Sequence, residues 1–323
     1  MRHGRSVVIE SDHVVLLGAS DRLPILLPQL VLAGTEGGSR TIVLLADIDP
    51  DDMHSLAQSA GTERGVTRIV YRFGDRTSPD DLALVQLSAS RAAIVLSDGQ
   101  SDVAAVETVL AIAAELGGFD DLTLVVEVLE QETAQRLHRA CGTRVHPIVS
   151  SEAVARTTAV ALRQRGLGQI VRELFAFRGS DLHLVERPDL TGTPFGRLVT
   201  TLTNARPIGT LRENGRIEIA PAFDALLRSG DRLISIAENV EHLELSDRSR
   251  PTAGPADSPT TVVAAPCDER LVGIGWNDFG RHVLQGLAAS AAPTATVALL
   301  IDTDSIDIEQ LEVPDLGPGH PER

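Results

Sequence analysis

Five short runs of apolar, β-branched residues recur through the first 130 positions of the chain, and they constrain its fold more than any other feature. They are His13–Gly18 (HVVLLG), Thr41–Asp47 (TIVLLAD), Thr67–Phe73 (TRIVYRF), Ala92–Ser97 (AAIVLS) and Leu122–Val128 (LTLVVEV). Each has the length of a strand and is apolar at consecutive positions, which suits a strand covered on both faces. Between them lie segments of helical spacing: Leu23–Val31 with Pro24 in its first turn, a polar stretch after Asp47, Asp80–Leu87, Val103–Leu116, and a helix ending near Cys141-Gly142, where glycine can take a left-handed cap. Strands alternating with helices in this way imply an α/β fold, a Rossmann-like doubly wound parallel sheet. Aromatic residues are only 3% of the chain, so its interior must be filled with Val, Leu, Ile and Ala, as such a sheet requires.

Beyond that sheet the pattern changes. Ser151 to Leu167 reads as one helix and is followed by short strands at Asp181–Glu186, Ala205–Leu211, Arg216–Ile219 and Asp231–Ala237, a small α+β lobe. A Pro/Ser/Thr/Ala stretch (RSRPTAGPADSPTT) has little to bury and reads as a linker. Arg270–Asn277 (RLVGIGWN) then echoes His13–Ser20 (HVVLLGAS), and Val297–Asp304 (VALLIDTD) echoes Ile42–Asp49 (IVLLADID). The expected organisation is an arm at 1–12, a Rossmann-like domain at 13–150, a crossover helix at 151–170, a small lobe at 171–245, a linker at 246–266 and, at 267–323, the start of a second Rossmann-like unit left incomplete.

The formal charge of −16 disfavours nucleic acid and anionic lipid, both of which need clustered Lys and Arg. Two cysteines, Cys141 and Cys267, make no disulfide framework, which points to a reducing, cytoplasmic compartment. Every apolar run is broken before the roughly 18 residues a membrane-spanning helix needs, so direct insertion by this chain is not expected.

The turn after the first strand, Gly18-Ala19-Ser20-Asp21-Arg22-Leu23, departs from the dinucleotide fingerprint G-x-G-x-x-G at its second and third glycines. The second glycine normally lets a pyrophosphate approach the backbone, so the loop is poorly made for NAD, and it reads either as a structural turn or as a small-ligand pocket. The second copy, Gly275-Trp276-Asn277-Asp278-Phe279-Gly280, lacks only the second glycine; Trp276 there reads as a packing residue. Asp47 and Asp302, at the ends of second strands, could hydrogen-bond a ribose or stand solvated. Asp47-x-Asp49-x-Asp51 fails as a calcium loop because its sixth and twelfth positions are Asp52 and Gln58, and Asp302-x-Asp304 fails at Asp307 and Val313. His138, Cys141 and His146 offer three zinc donors, but the glycine after Cys141 reads as helix termination. No G-x-S-x-G, H-E-x-x-H or C-x-x-C occurs, and no catalytic set is specified.

Gly74-Asp75 after the third strand, Asp81-Leu82, and the strand Ala92–Ser97 resemble domains that regulate potassium conductance (RCK domains). Gly192-Thr193-Pro194-Phe195-Gly196 and Gly230-Asp231-Arg232-Leu233-Ile234 resemble their C-terminal lobe. Arg5–His13 (RSVVIESDH) with the later Gly275-Trp276 turn narrows the resemblance to the CASTOR/POLLUX group of ion channels and its bacterial relatives, over about residues 4–240 and 267–304. The resemblance implies a non-enzymatic regulatory domain at the inner face of a membrane, assembled as a homo-oligomeric dimer or tetramer-based ring or with a pore partner. Its ligand would be calcium or a nucleotide (NAD or ATP), held near Gly18, Ala19, Ser20, Asp47, Gly74, Asp75, Gly275, Trp276, Asn277, Gly280 and Asp302. The chain departs from the group in having no pore helices, Ala19 where relatives often have tryptophan, and a short second unit. The rival reading is a nicotinamide-dependent oxidoreductase, which the fold alone would permit.

Overall fold

Alternating residues of one parallel sheet feed two separate cores in the N-terminal part of the protein. The computed structural model describes residues 6–35, 41–49, 51–52, 55, 67–119, 122–163, 166–175, 179–238, 270–288 and 295–302. Six parallel strands, β1 (His13–Leu17), β2 (Thr41–Ala46), β3 (Arg68–Phe73), β4 (Ser90–Val95), β5 (Thr123–Val128) and β6 (Val145–Val149), lie in the order β3-β2-β1-β4-β5-β6. The order reverses between β1 and β4, whose register runs Val14↔Ala92 to Leu17↔Val95. Val15, Leu17, Val43, Leu45, Ala93 and Val95 face one core, completed by α3 (Val103–Leu116) and α4 (Gln131–Cys141). Leu16, Ile42, Leu44, Ala46 and Leu96 face the other, covered by Leu23 and Leu27 of α1 (Leu23–Thr35). With apolar residues facing a core on either side, β1 and β2 are buried at nearly every position, which is why these segments read as unbroken apolar runs. This is the Rossmann-like parallel sheet that the alternation implies.

Four local features differ from the sequence reading. The segment around Asp80–Leu87 holds a single helical turn, α2 (Pro79–Leu82), followed by 3₁₀ turns at Ala83–Val85 and Leu87–Ala89, with Gln86 at φ 53° between them. β6 (VHPIV) is a sixth strand that the sequence reading did not include; Pro147 is tolerated because β6 lies at the sheet edge. At the end of α4, Gly142 has φ 72° but ψ −157°, so it turns the chain into the next 3₁₀ turn rather than forming a left-handed helical cap. The expected single helix from Ser151 is two, α5 (Ser150–Arg163) and α6 (Leu167–Leu174), with Gly166 at φ 90° preceding the second.

Contacts divide the chain into two compact units: Met1–Ala159 with Ile274–Leu287 and Ile301–Asp315, and Val160–Gly273 with Ala288–Leu300 and Leu316–Arg323. In the first, Val8 is buried in the core and its amide donates to the Leu84 carbonyl, so the arm before β1 packs on the domain. In the second, β7 (Asp181–Glu186), β8 (Ala205–Leu211), β9 (Ile217–Ile219) and β10 (Arg232–Ala237) form an antiparallel sheet in the order β7-β10-β8-β9. One face packs Val185, Ala205, Leu233 and Ala237 against Leu190 and, from α7 (Phe195–Thr201), Phe195 and Leu198. The Gly192–Gly196 motif runs beside Phe223–Leu227: Gly192, Phe195 and Gly196 amides donate to the Leu227, Ala225 and Phe223 carbonyls. Gly196 leaves the room that the Phe223 ring occupies. β11 (Arg270–Ile274) and β12 (Thr296–Leu300) form a two-stranded sheet, with α8 (Asp278–Ala288) between them in sequence. The expected linker at 246–266, Arg5, Gln58, Cys267, Asp304, Asp307 and Val313 lie outside the described residues.

Candidate functional site

In an open parallel sheet the ligand crevice forms outside the carboxyl ends of the strands, where the strand order reverses. Here that point is the gap between β1 and β4. Its floor is Gly18, buried and at φ 99°, a conformation that favours glycine. Ala19 is exposed, and Ser20 is half-buried with its Oγ accepting from the Arg22 amide at 3.0 Å, so the serine is spent on shaping the loop. The Ser20 carbonyl accepts from Leu23, and that of Arg22 from Ile25 and Leu26, which starts α1.

Two arginines lace this crevice. The Arg76 side chain, from the turn after β3, lies over Gly18 so closely that a methyl group there would collide with its guanidinium. Its Nη1 donates to the Leu96 carbonyl at the end of β4 and lies 3.5 Å from the Leu17 carbonyl at the end of β1. Burial pushes this guanidinium below the usual arginine value, while Asp98 and Asp75 oppose the shift. Arg22, from the first loop, pairs with Glu127 at the end of β5, and the other oxygen of that buried carboxylate accepts from the Ser97 amide at 3.1 Å. Sequence reading missed Arg22, Arg76, Ser97 and Glu127; the only signal was position, since each stands in or beside a loop following a strand.

The other expected residues fall into clear places. Gly74 is buried, and a Cβ there would stand 2.7 Å from the Asp81 carboxyl carbon, so glycine is needed for that side chain to reach in. Asp81 accepts from the Asp75 amide at 2.9 Å, and Asp75 accepts from the Thr77 amide and hydroxyl, both at 2.8 Å. These bonds from Thr77 hold the Asp75 carboxyl below the usual carboxylate range. Gly74 and Asp75 therefore build the turn that launches Arg76. Asp47 is exposed just beyond β2, and Asp49 accepts from the Asp51 amide at 2.9 Å.

At the second turn Gly275 has φ 85°, and Asn277 Oδ1 accepts from the Gly280 amide at 2.9 Å, capping α8. Trp276 is half-buried; a Cβ on Gly280 would stand 3.5 Å from its ring, so the indole lies across the helix start and packs there. Asp302 is exposed after β12. His138 and His146 line one open groove with Gln135 and Glu152, and Cys141 is not among its lining residues. Among the described residues no group of three or more His, Cys, Asp or Glu side chains is placed to hold a metal ion, and no helix is long and apolar enough to cross a membrane.

Comparison with known proteins gives this geometry its context. Residues 151–252 match the family model described as Castor and Pollux, part of voltage-gated ion channel. The chain is 28% identical over 298 residues to the probable ion channel POLLUX of Arabidopsis thaliana, covering 91% of this chain and 36% of that protein. It is 28% identical over 316 residues to the ion channel CASTOR of Lotus japonicus, covering 96% and 37% respectively. The chain is homologous to the CASTOR/POLLUX ion channels. It is also 30% identical over 245 residues, or 74% of its length, to the ion channel DMI1 of Medicago truncatula. The chain spans about a third of the length of these relatives. Its fold resembles the human SLO3 gating ring with a TM-score of 0.58 and 12% identity, over 89% of this chain and 59% of that one.

Proposed function

We propose that this chain is the regulatory, gating-ring type part of an ion channel or a potassium/cation transport system, and that it senses a small ligand. The observation that carries the reading is the reach of the homology: it runs through 91% and 96% of this chain yet takes up only 36% and 37% of POLLUX and CASTOR. What is shared is a segment of an ion-channel protein, and in this chain that segment holds a parallel sheet followed by an antiparallel lobe. In this reading the chain performs no catalysis, works on the cytoplasmic side of a membrane and assembles with copies of itself or with a pore. Calcium or a nucleotide such as NAD or ATP is the ligand. The candidate contacts are Gly18, Ala19, Ser20, Asp47, Gly74 and Asp75 at the first crevice, and Gly275, Trp276, Asn277, Gly280 and Asp302 at the second turn.

A ligand acts on such a domain only through its differential affinity for two arrangements of the protein. Selective binding to the native state raises the melting temperature. A thermal-shift panel with calcium, magnesium, NAD, NADH, ADP and ATP at millimolar concentration tests the reading. It predicts stabilisation by one class of ligand, reduced by Asp47→Ala. Absence of any shift contradicts ligand sensing, and turnover of NADH with an alcohol or aldehyde partner would favour an oxidoreductase instead.

A further inference from the structure

Arg76 occupies the place above Gly18 that an incoming ligand would need. Three observations bear on it. First, the side chain is in van der Waals contact with the glycine floor, so nothing else can approach the Gly18 Cα from that side while it stays. Second, its Nη1 is turned inward onto the Leu96 and Leu17 carbonyls, and so is not presented as a receptor for a phosphate. Third, it is tethered through a fixed turn: Gly74 admits Asp81, Asp81 holds the Asp75 amide, and Asp75 holds Thr77. Asp75 and Asp98, whose charges favour the protonated guanidinium, are themselves engaged with the backbone amides of Thr77 and of Gln100 and Ser101 respectively.

We propose that Arg76 is the specificity-determining gate of the switch-point crevice: seated on the Leu17 and Leu96 carbonyls it excludes phosphate-bearing ligands, and they reach the Gly18 floor only when it swings away. The proposal rests on the ligand-sensing reading above and makes it more specific. A ligand that binds only the open form has its affinity reduced by the open fraction, so removing the plug strengthens binding without adding a contact. Arg22 is already paired with Glu127, and the Asp98 carboxylate keeps its Gln100 and Ser101 amide donors when Arg76 leaves.

The test is isothermal titration of ADP and of NAD, separately, into the wild-type chain, Arg76→Ala and Arg76→Lys, with far-UV circular dichroism and melting curves confirming that all three are folded. Arg76→Gln serves in place of the alanine variant should that one fail to fold. The gate predicts that Arg76→Ala binds at least one of the two nucleotides about tenfold or more tightly than wild type, a change of about 1.4 kcal/mol. Arg76→Lys, which keeps a cation able to reach the carbonyls, stays near wild type. Equal affinities for wild type and Arg76→Ala overturn the gate and leave ligand sensing standing. Weaker binding by Arg76→Ala also overturns it, by making the arginine a receptor. No binding by any of the proteins overturns both the gate and nucleotide sensing at this crevice.

Discussion

Arg212 gathers the charge of the small lobe. Its Nη1 bonds Asp231 at 2.6 Å and its Nη2 bonds Glu218 at 2.6 Å, with 12% of the arginine side chain and 3% of the Asp231 side chain exposed. Asp231 also accepts from the Arg228 amide at 2.8 Å, closing the turn that contains Gly230. Removing the arginine leaves a buried carboxylate without its partner, so Arg212→Ala should lower the unfolding free energy by about 3 kcal/mol in urea titration. Burial alone would raise the Asp231 pKa, but the bonds from Arg228 and Arg212 outweigh it and the carboxyl lies below its usual range; Glu218 is lowered by Arg212, and Asp98 by the Gln100 and Ser101 amides. A carboxyl with a depressed folded-state pKa contributes its full stability above the unfolded value and loses it as pH falls through the folded value. Urea midpoints should therefore be flat from neutral pH to about 5 and fall below about pH 4, and the fall should be shallower in Arg212→Ala. Gly74→Ala presses a methyl group against Asp81 and should cost about 1–3 kcal/mol by the same titration. At this scale the sequence showed where glycines and acids stand but not where long side chains go. Gly74-Asp75 was visible as a motif, whereas the destination of Arg76 depends on β1 and β4, which are brought beside it only by the strand order.

Among the elements, β1, β2 and β4 were legible because their apolar residues face both cores, and they were recovered within two residues of their ends. β6 was not, since VHPIV is interrupted by Pro147 and leaves His146 and Ile148 exposed at the edge. The helix expected from Ser151 onward was legible as helical spacing, but its break at Gly166 was not, because the apolar spacing continues through Leu167, Ile170 and Leu174 on α6. Both helices leave large apolar side chains in solvent: Val154, Val160 and Leu162 on α5, and Ile170 on α6, with Phe175 immediately after it. We propose that α5 meets a second copy of the chain through these exposed side chains. Leu162→Asp should then weaken self-association in sedimentation velocity while leaving the melting temperature near wild type, since Leu162 is 59% exposed and contributes little to the interior. Unchanged association would remove α5 from the interface.

At the scale of the whole molecule, the alternation of strands and helices was enough to imply a parallel doubly wound sheet, and the later change of style implied a lobe of a different kind. What the pattern did not disclose is that the space over Gly18 at the reversal of strand order is filled by the Arg76 side chain, because a fingerprint with two missing glycines reads the same whether the space above it is open or filled. A regulatory domain of the kind proposed must do more than bind: the ligand must change how the protein is arranged. The most direct test is sedimentation velocity of the purified chain over a range of concentrations, with and without the ligand that raises its melting temperature. The account predicts reversible self-association whose midpoint shifts with ligand; a chain that stays monomeric at every concentration and is indifferent to ligand would contradict it.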